Sequence, residues 1–217
     1  MIFDFDGTLA ASLEGIHASF KDALVLHGHA APSLAAVRQT VGLTLEESVK
    51  ILTDDRCNGT QVDEVIASYR VLYTEKGRAM ATLFPGARET LLAVRVMGIQ
   101  IVVVSNKSYK GVCRMAEQLG IDGVIDLMMG ADSAPFRKPD ARLYTEVIVP
   151  HLPVPRGRQV LMVGDTESDL LFANAAGLRS CWASYGYGDE SACIALKPEF
   201  ILPDIARLTE LLPKITD

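Results

Sequence analysis

The sequence is poor in cysteine, in long apolar runs and in positive charge, and each shortage excludes a class of protein. Four cysteines in 217 residues show no metal or redox spacing. We therefore expect reduced thiols in a cytoplasmic protein rather than a disulfide scaffold. No apolar run approaches the length of a membrane-spanning helix. Asp4 and Asp6 stand where a signal peptide would be basic, so we expect no signal peptide.

The charge balance is acidic and argues against two kinds of partner. Asp and Glu number 27 against 21 Lys and Arg, which gives a net charge of −6, and the basic residues do not cluster. We therefore expect neither nucleic acid nor an anionic membrane as partner. Hydrophobic residues make up 49% of the chain and charged residues 22%. This composition predicts a globular protein with one sizeable domain, or one core carrying an insertion.

Residues 13–80 carry helical periodicity only. Apolar residues from Leu13 to Leu24 recur on one face of a first predicted helix. Thr44 and Glu47 form the sequence signature of a capping box that opens a later helix. Thr60, with Asp63, is predicted to open a further, long helix. The pattern predicts a small helical bundle packed by its own apolar faces.

The rest of the chain, residues 1–12 and 81–217, alternates short apolar strands with helices. Because the strands read as apolar on both faces, they predict an α/β core: a parallel sheet with helices on both sides. The predicted strands are 2–5, 99–104, 124–128, 159–163, 179–183 and 200–201.

Residues with charged or reactive side chains stand at or after the ends of four of these strands, and one of these residues, Lys138, opens the helix after the third strand. They are Asp4 and Asp6, then Ser105, then Lys138, and finally Asp165 and Asp169. A parallel sheet would bring them to one edge, where open α/β sheets bind ligands. Four carboxylates sharing a site with a phosphate need positive charge, which Lys138 and a divalent ion with oxygen ligands would supply. Mg²⁺ suits such a site.

The first stretch, Ile2 to Leu9, is the most informative. Two carboxylates at the end of a buried strand are costly unless a cation or a reaction uses them. Asp4 would then be a nucleophile and Asp6 a proton-transfer group, while Gly7 would let the backbone approach a phosphate. The alternative interpretation is an acidic hairpin turn, because Asp-Gly is a common turn pair.

Four short motifs in this order resemble those of the haloacid dehalogenase-like hydrolase superfamily, and most closely its phosphoglycolate phosphatase-type branch. They are Asp4 to Leu9, Val103 to Asn106, Lys138-Pro139 and Gly164 to Asp169. The resemblance implies a Rossmann-like core formed by residues 1–12 and 81–217. It also implies that the helical segment 13–80 is an inserted α-helical cap domain.

The same resemblance implies a two-step phosphoryl transfer from a small-molecule phosphate ester. Asp4 would attack phosphorus to form an aspartyl-phosphate, and Asp6 would protonate the leaving oxygen and then activate water. Mg²⁺ would be held by the Asp4 carboxylate, the Asp6 carbonyl and Asp165, with Asp169 as a further ligand or as their hydrogen-bond partner. The phosphate would be bound by Gly7, Thr8, Ser105, Asn106 and Lys138.

A turn between two predicted cap helices is expected to help select the substrate, as the corresponding loop does in related enzymes. It consists of Thr40, Gly42, Leu43, Thr44 and Leu45. The turn offers two hydroxyls and no charge, which favours a small substrate or an apolar leaving group over a second phosphate. The alternative is a turn that only joins two helices. We expect the protein to act as a monomer or as a homodimer.

Rival activities on this fold remain as alternatives. A sugar-phosphate mutase would keep all four motifs but typically carries a His where this chain has Ile16 and an Arg where it has Leu45. A metal-independent haloacid dehalogenase typically replaces the second Asp by an aromatic residue, which Asp6 argues against. The chain departs from its relatives in its short first strand and in Ala11, where they often carry Asp.

Overall fold

The computed structural model describes residues 1–152 and 159–216 of the chain. The predicted core range, 81–217, also contains residues 153–158 and 217, which lie outside the described residues. The chain divides into two compact units, one formed by Met1–Ala10 with Leu83–Asp217 and the other by Ala11–Thr82. Across the described ranges, no helix is both long and apolar enough to cross a membrane. The four cysteines are free thiols.

The first unit is built on a six-stranded parallel sheet, which confirms the predicted α/β fold. The described residues form eight strands, six of which belong to this sheet. In chain order the eight are β1 (Ile2–Phe3), β2 (Ala10–Ala11), β3 (Thr82–Leu83), β4 (Val102–Val104), β5 (Leu127–Met129), β6 (Leu161–Gly164), β7 (Arg179–Ala183) and β8 (Phe200–Leu202). The order across the sheet is β5-β4-β1-β6-β7-β8, and β2 pairs with β3 in a separate two-stranded sheet.

Strand β1 occupies the middle of the sheet and fixes where the site forms. Ile2 lies opposite Val102 of β4 on one side and Met162 of β6 on the other. Ile2 and Phe3 are buried, as expected for a strand covered on both faces. The chain extends the sheet first to one side of β1 and later to the other. In open α/β sheets, the crevice beside such a reversal point is where ligands bind.

Nine α-helices are described. They are α1 (Leu13–Leu26), α2 (Leu34–Arg38), α3 (Leu45–Leu52), α4 (Gly59–Glu75), α5 (Ala87–Val96), α6 (Tyr109–Leu119), α7 (Glu167–Ala175), α8 (Glu190–Ala195) and α9 (Leu208–Thr216). Helices α5 to α9 belong to the first unit. A π-helix, Leu143–Ile148, also packs in the core of that unit with residues from β1, β4 and β6.

The second unit contains helices α1 to α4, as the periodicity predicts. Phe20 of α1 and Tyr69 of α4 pack with ring centroids 4.3 Å apart. Gly15 of α1 is required because a Cβ there would overlap the backbone of Gly77. The predicted capping box of α3 is present between Thr44 and Glu47.

Several element boundaries differ from the sequence predictions. Helix α4 begins at Gly59, because the Asn58 side chain accepts from the backbone N–H of Gln61 and caps the helix before Thr60. The segment before Pro150 is a π-helix rather than an α-helix, and proline has no backbone N–H to continue a helical ladder. Helix α8 was not predicted, because six residues are too few to show a period.

Candidate active site

The ends of three adjacent strands bring the predicted core residues together at one edge. Asp4 directly follows β1, and its backbone N–H donates to the Val163 carbonyl of β6 at 2.9 Å. Ser105 directly follows β4, and its N–H donates to the Met129 carbonyl at 3.0 Å. Asp165 directly follows β6. Sheet hydrogen bonds therefore fix the backbone at Asp4 and Ser105 before any ligand binds.

Lys138 lies between two of the carboxylates. Its Nζ donates to Asp4 Oδ1 at 2.5 Å and to Asp169 Oδ1 at 2.6 Å. The Lys138 side chain is 3% exposed, and those of Asp4 and Asp169 are 7% and 0% exposed. Water cannot screen these charges, so the lysine holds both carboxylates in fixed positions.

Asp165 and Asp169 are each oriented by further donors. Asp169 is the third residue of α7, and its Oδ2 accepts from both the N–H and the hydroxyl of Thr166 at 3.0 Å. Asp165 Oδ1 accepts from the Thr8 hydroxyl and its Oδ2 from the Tyr187 N–H, both at 2.8 Å. Both carboxylates are therefore oriented as well as buried.

The loop Tyr185–Gly188, which we call the glycine loop, packs directly on Asp165. A Cβ on Gly186 would overlap Asp165 and stand 2.5 Å from the Gly7 carbonyl oxygen. Gly7 itself has φ +88°, and a Cβ there would overlap Asp165 Oδ2. The sequence predicts that Gly7 lets the backbone approach a phosphate and indicates no role for Gly186. The structure shows that they make room for a buried carboxylate.

Asp6 has a different partner, which the sequence interpretation missed. Lys107 Nζ donates to Asp6 Oδ2 at 2.9 Å, with 13% and 10% of the two side chains exposed. The sequence contained one indication that Lys107 belongs to the site, namely that it directly follows Ser105 and Asn106. The Asn106 side chain donates to the Lys138 carbonyl at 3.3 Å.

The electrostatics of the cluster show an excess of negative charge. Burial, with Asp169 and Asp6 nearby, raises the pKa of Asp4 to about 7 although Lys138 opposes the shift. Burial, Asp4 and Asp169 raise the pKa of Asp165 well above its usual value. Burial alone would lower the pKa of Lys138, but Asp169 and Asp4 raise it. One lysine does not balance these carboxylates, so the site favours a further cation.

The donor set fits a divalent metal ion. Asp4, Asp165 and Asp169 each offer a carboxylate oxygen, and these oxygens lie within 4.8 Å of one another. All three residues are buried. Hard divalent ions such as Mg²⁺ prefer oxygen ligands. The Asp6 carbonyl stays a predicted ligand.

The five predicted substrate-selecting residues lie in the second unit, whereas the clustered carboxylates and lysines lie in the first. Thr40 is buried and its hydroxyl donates to the Val37 carbonyl at 2.8 Å. Gly42 has φ +94°. Leu43 is 38% exposed, and Leu45 is the first residue of α3 after the Thr44 cap. The residues form a tight, capped turn, and their selecting role stays a prediction.

The sequence matches known proteins along most of its length. The family model described as haloacid dehalogenase-like hydrolase matches residues 1–183. A phosphoglycolate phosphatase from Pseudomonas fluorescens is 30% identical, over 96% of this chain and 77% of that protein. A phosphoglycolate phosphatase from Vibrio cholerae is 31% identical, over 96% of this chain and 94% of that protein.

Solved structures match the fold over nearly the same extent. A protein from Haemophilus somnus, described as a predicted phosphoglycolate phosphatase, superposes with a TM-score of 0.88 at 26% identity, covering 97% of this chain and 96% of that one. A haloacid dehalogenase-like family hydrolase from Streptococcus pneumoniae gives a TM-score of 0.85 at 26% identity, with 97% and 96% coverage.

Proposed function

This chain belongs to the haloacid dehalogenase-like hydrolases, and from that premise we propose that it is a phosphatase acting on a small phosphate monoester. The observation that carries the proposal is the position of Asp4. Its carboxylate is buried at the end of the central strand, beside Lys138 and within the cluster formed with Asp165 and Asp169. The names of the relatives support an ester resembling 2-phosphoglycolate as substrate.

In the first chemical step, an oxygen of Asp4 attacks phosphorus and the bond from phosphorus to the leaving oxygen breaks. Asp6 supplies the proton that the leaving alcohol takes. Asp4 then carries the phosphoryl group as a mixed anhydride. Lys138 supports this step because it holds Asp4 through Oδ1 at 2.5 Å and offsets the charge of the incoming phosphate.

In the second step, Asp6 takes a proton from a water molecule, and that water attacks phosphorus. The bond between phosphorus and Asp4 breaks, which releases inorganic phosphate and restores the carboxylate. Both steps use the same acid–base group, first as acid and then as base. Asp6 is suited to this because it follows Asp4 by two residues in the segment after β1.

The remaining core residues bind the phosphate or orient a carboxylate of the site. We assign phosphate binding to Ser105, Asn106 and Lys138, with Gly7 leaving space for close approach of the backbone. The Thr8 hydroxyl donates to Asp165, so its contribution to the phosphate site includes the orientation of that carboxylate.

A divalent ion is part of the proposal, and Mg²⁺ is the ion we assign. Asp4, Asp165 and Asp169 would hold it, with the Asp6 carbonyl as a further ligand. When bound, the ion supplies positive charge that stabilises the phosphoryl oxygens and the attacking carboxylate. The four free thiols support a cytoplasmic location.

The Asp4 role is tested by Asp4→Asn. We expect the variant to lose measurable turnover of 2-phosphoglycolate, ethyl phosphate and p-nitrophenyl phosphate in Mg²⁺, because an amide cannot act as the nucleophile. Asp122→Asn, at an exposed aspartate of the same unit, is the matched control and should retain activity. Turnover by Asp4→Asn near that of the unaltered protein would refute the mechanism.

We also propose that the turn containing Leu43 and Leu45 selects among substrates. Its support is the exposed Leu43 side chain on a turn that Gly42 and the Thr44 cap hold in shape. Leu43→Ala combined with Leu45→Arg should change the relative kcat/KM values across the ester panel. Val71→Ala, at an exposed apolar residue of the same unit, should not. A uniform rise or fall for every ester would contradict this role.

A further inference from the structure

We propose that Lys107 is the residue that recognises the carboxylate on the leaving group of the proposed substrate, the phosphate ester of a 2-hydroxy acid. This inference rests on the proposed phosphatase function and on the proton-transfer role of Asp6. It adds a specificity-determining residue that the motif comparison does not supply.

The position of Lys107 is fixed by the fold. Its backbone N–H donates to Ser105 Oγ at 3.2 Å, and its carbonyl accepts from the Ala131 N–H at 2.8 Å. The side chain passes beside Gly111 of α6, where a Cβ would stand 3.0 Å from Lys107 Cγ. The ammonium group is thereby presented at Asp6, with only 13% of the side chain exposed.

The two lysines of the site face different parts of a bound ester. Lys138 is held between Asp4 and Asp169, the nucleophile and a candidate metal ligand. Lys107 instead contacts Asp6, the residue that would protonate the leaving oxygen. Lys138 therefore serves the phosphoryl side, whereas Lys107 stands on the side of the leaving group.

The spacing in a 2-hydroxy acid ester matches this arrangement. One carbon atom separates the ester oxygen from the carboxylate carbon in such a molecule. When Asp6 reaches the ester oxygen, a carboxylate one carbon away comes within reach of the ammonium that Asp6 already binds at 2.9 Å. An ammonium has three N–H donors and can bind Asp6 and a second anion together.

Low exposure makes this recognition selective. A charge-assisted hydrogen bond is stronger in a site with little water, and a substrate carboxylate shielded from water without a cationic partner is costly. An ester of a neutral alcohol offers Lys107 no anion. An ester whose carboxylate is one carbon farther away must bend to reach it.

The test compares 2-phosphoglycolate with ethyl phosphate, which has no carboxylate, in the unaltered protein and in Lys107→Met. We expect the ratio of kcat/KM for the two esters to fall by about 10- to 100-fold in Lys107→Met. Lys107→Arg should retain most of the ratio, since it keeps the charge. Lys110→Met, at an exposed lysine of α6, is the matched control and should leave the ratio unchanged. A 3-phosphooxypropionate substrate should show a smaller fall than 2-phosphoglycolate.

A measurement without turnover separates recognition from effects on Asp6. In the Asp4→Asn background, calorimetry should show that Lys107→Met weakens binding of 2-phosphoglycolate and leaves that of ethyl phosphate unchanged. Equal losses for both esters, in turnover and in binding, would overturn the inference while the phosphatase function stands. If the unaltered protein hydrolyses neither ester nor any other in the panel, the proposed function fails, and the inference fails with it.

Discussion

Lys138 is the residue on which the charge balance of the core site depends. It is almost completely buried and donates to two carboxylates that are themselves buried. Burying charged groups costs free energy, which only close and well-directed partners offset. A site of this kind can bind anions and cations, but its buried charges contribute little to the stability of the fold.

We expect Lys138→Met to abolish turnover and to lower the free energy of unfolding by about 3 to 5 kcal/mol in the presence of chelator, because Asp4 and Asp169 lose their common partner. Urea denaturation followed by circular dichroism measures the stability change. The exposed Lys110→Met variant controls for the loss of a lysine as such. If Lys138→Met is as stable as this control, the lysine does not compensate the two carboxylates.

At the scale of elements, the site is assembled by strand ends and by one loop. Strands β1, β4 and β6 end beside one another, and a polar residue directly follows each of them. The glycine loop after β7 then closes on Asp165 through the Tyr187 N–H. The Tyr185 hydroxyl donates to the Thr8 carbonyl at 2.7 Å, which ties this loop to the loop after β1.

Gly186→Ala should weaken Mg²⁺ binding by about 10- to 100-fold, the range seen when groups that orient metal ligands are changed. The reason is steric: the added Cβ would overlap Asp165 and press on the Gly7 carbonyl. Titration calorimetry with Mg²⁺ measures the affinity, and a thermal melt confirms folding. Gly123→Ala, where a Cβ meets open space, is the matched control. Unchanged Mg²⁺ affinity in a folded Gly186→Ala protein would show that the loop does not position Asp165.

At the scale of the whole molecule, the core unit is made from two separate parts of the chain. Met1–Ala10 contributes the central strand, and the remaining strands of the six-stranded sheet come from Leu83 onwards. Folding therefore has to bring Asp4 to Asp165 and Asp169 across most of the sequence. A ligand that bridges these carboxylates binds only the folded state and should stabilise it.

We expect Mg²⁺ at about 100 times its dissociation constant to stabilise the protein by about 2.7 kcal/mol, which corresponds to a rise in Tm of about 5 to 10 °C. Differential scanning calorimetry in Mg²⁺ and in excess chelator measures the difference. Chelator should also abolish ester hydrolysis. Asp165→Asn should remove most of the thermal shift. Full activity in chelator, or a shift that persists in Asp165→Asn, would contradict the assigned metal site.

The sequence alone determined the fold class and the identities of the clustered residues other than Lys107. Apolar runs and helical periods are local properties, so they predicted the sheet, the helical segment and helices such as Tyr109–Leu119 from neighbouring residues. The rule that parallel strands share one edge was enough to predict that Asp4, Ser105 and Asp165 would meet there. Boundaries such as the start of α4 were missed because the Asn58 cap competes with an equally plausible one at Thr60.

Only the tertiary structure decided which partner each charged residue has. Lys107 and Asp6 are 101 residues apart, and Tyr187 and Asp165 are 22 apart. Such contacts depend on how separate elements pack, so no local pattern specifies them. The role of Gly186 was hidden for the same reason, since it follows from the space that a distant carboxylate occupies. The sequence supplied the reactive groups, and packing across the sheet edge assigned a lysine to each of the two aspartates, Asp4 and Asp6.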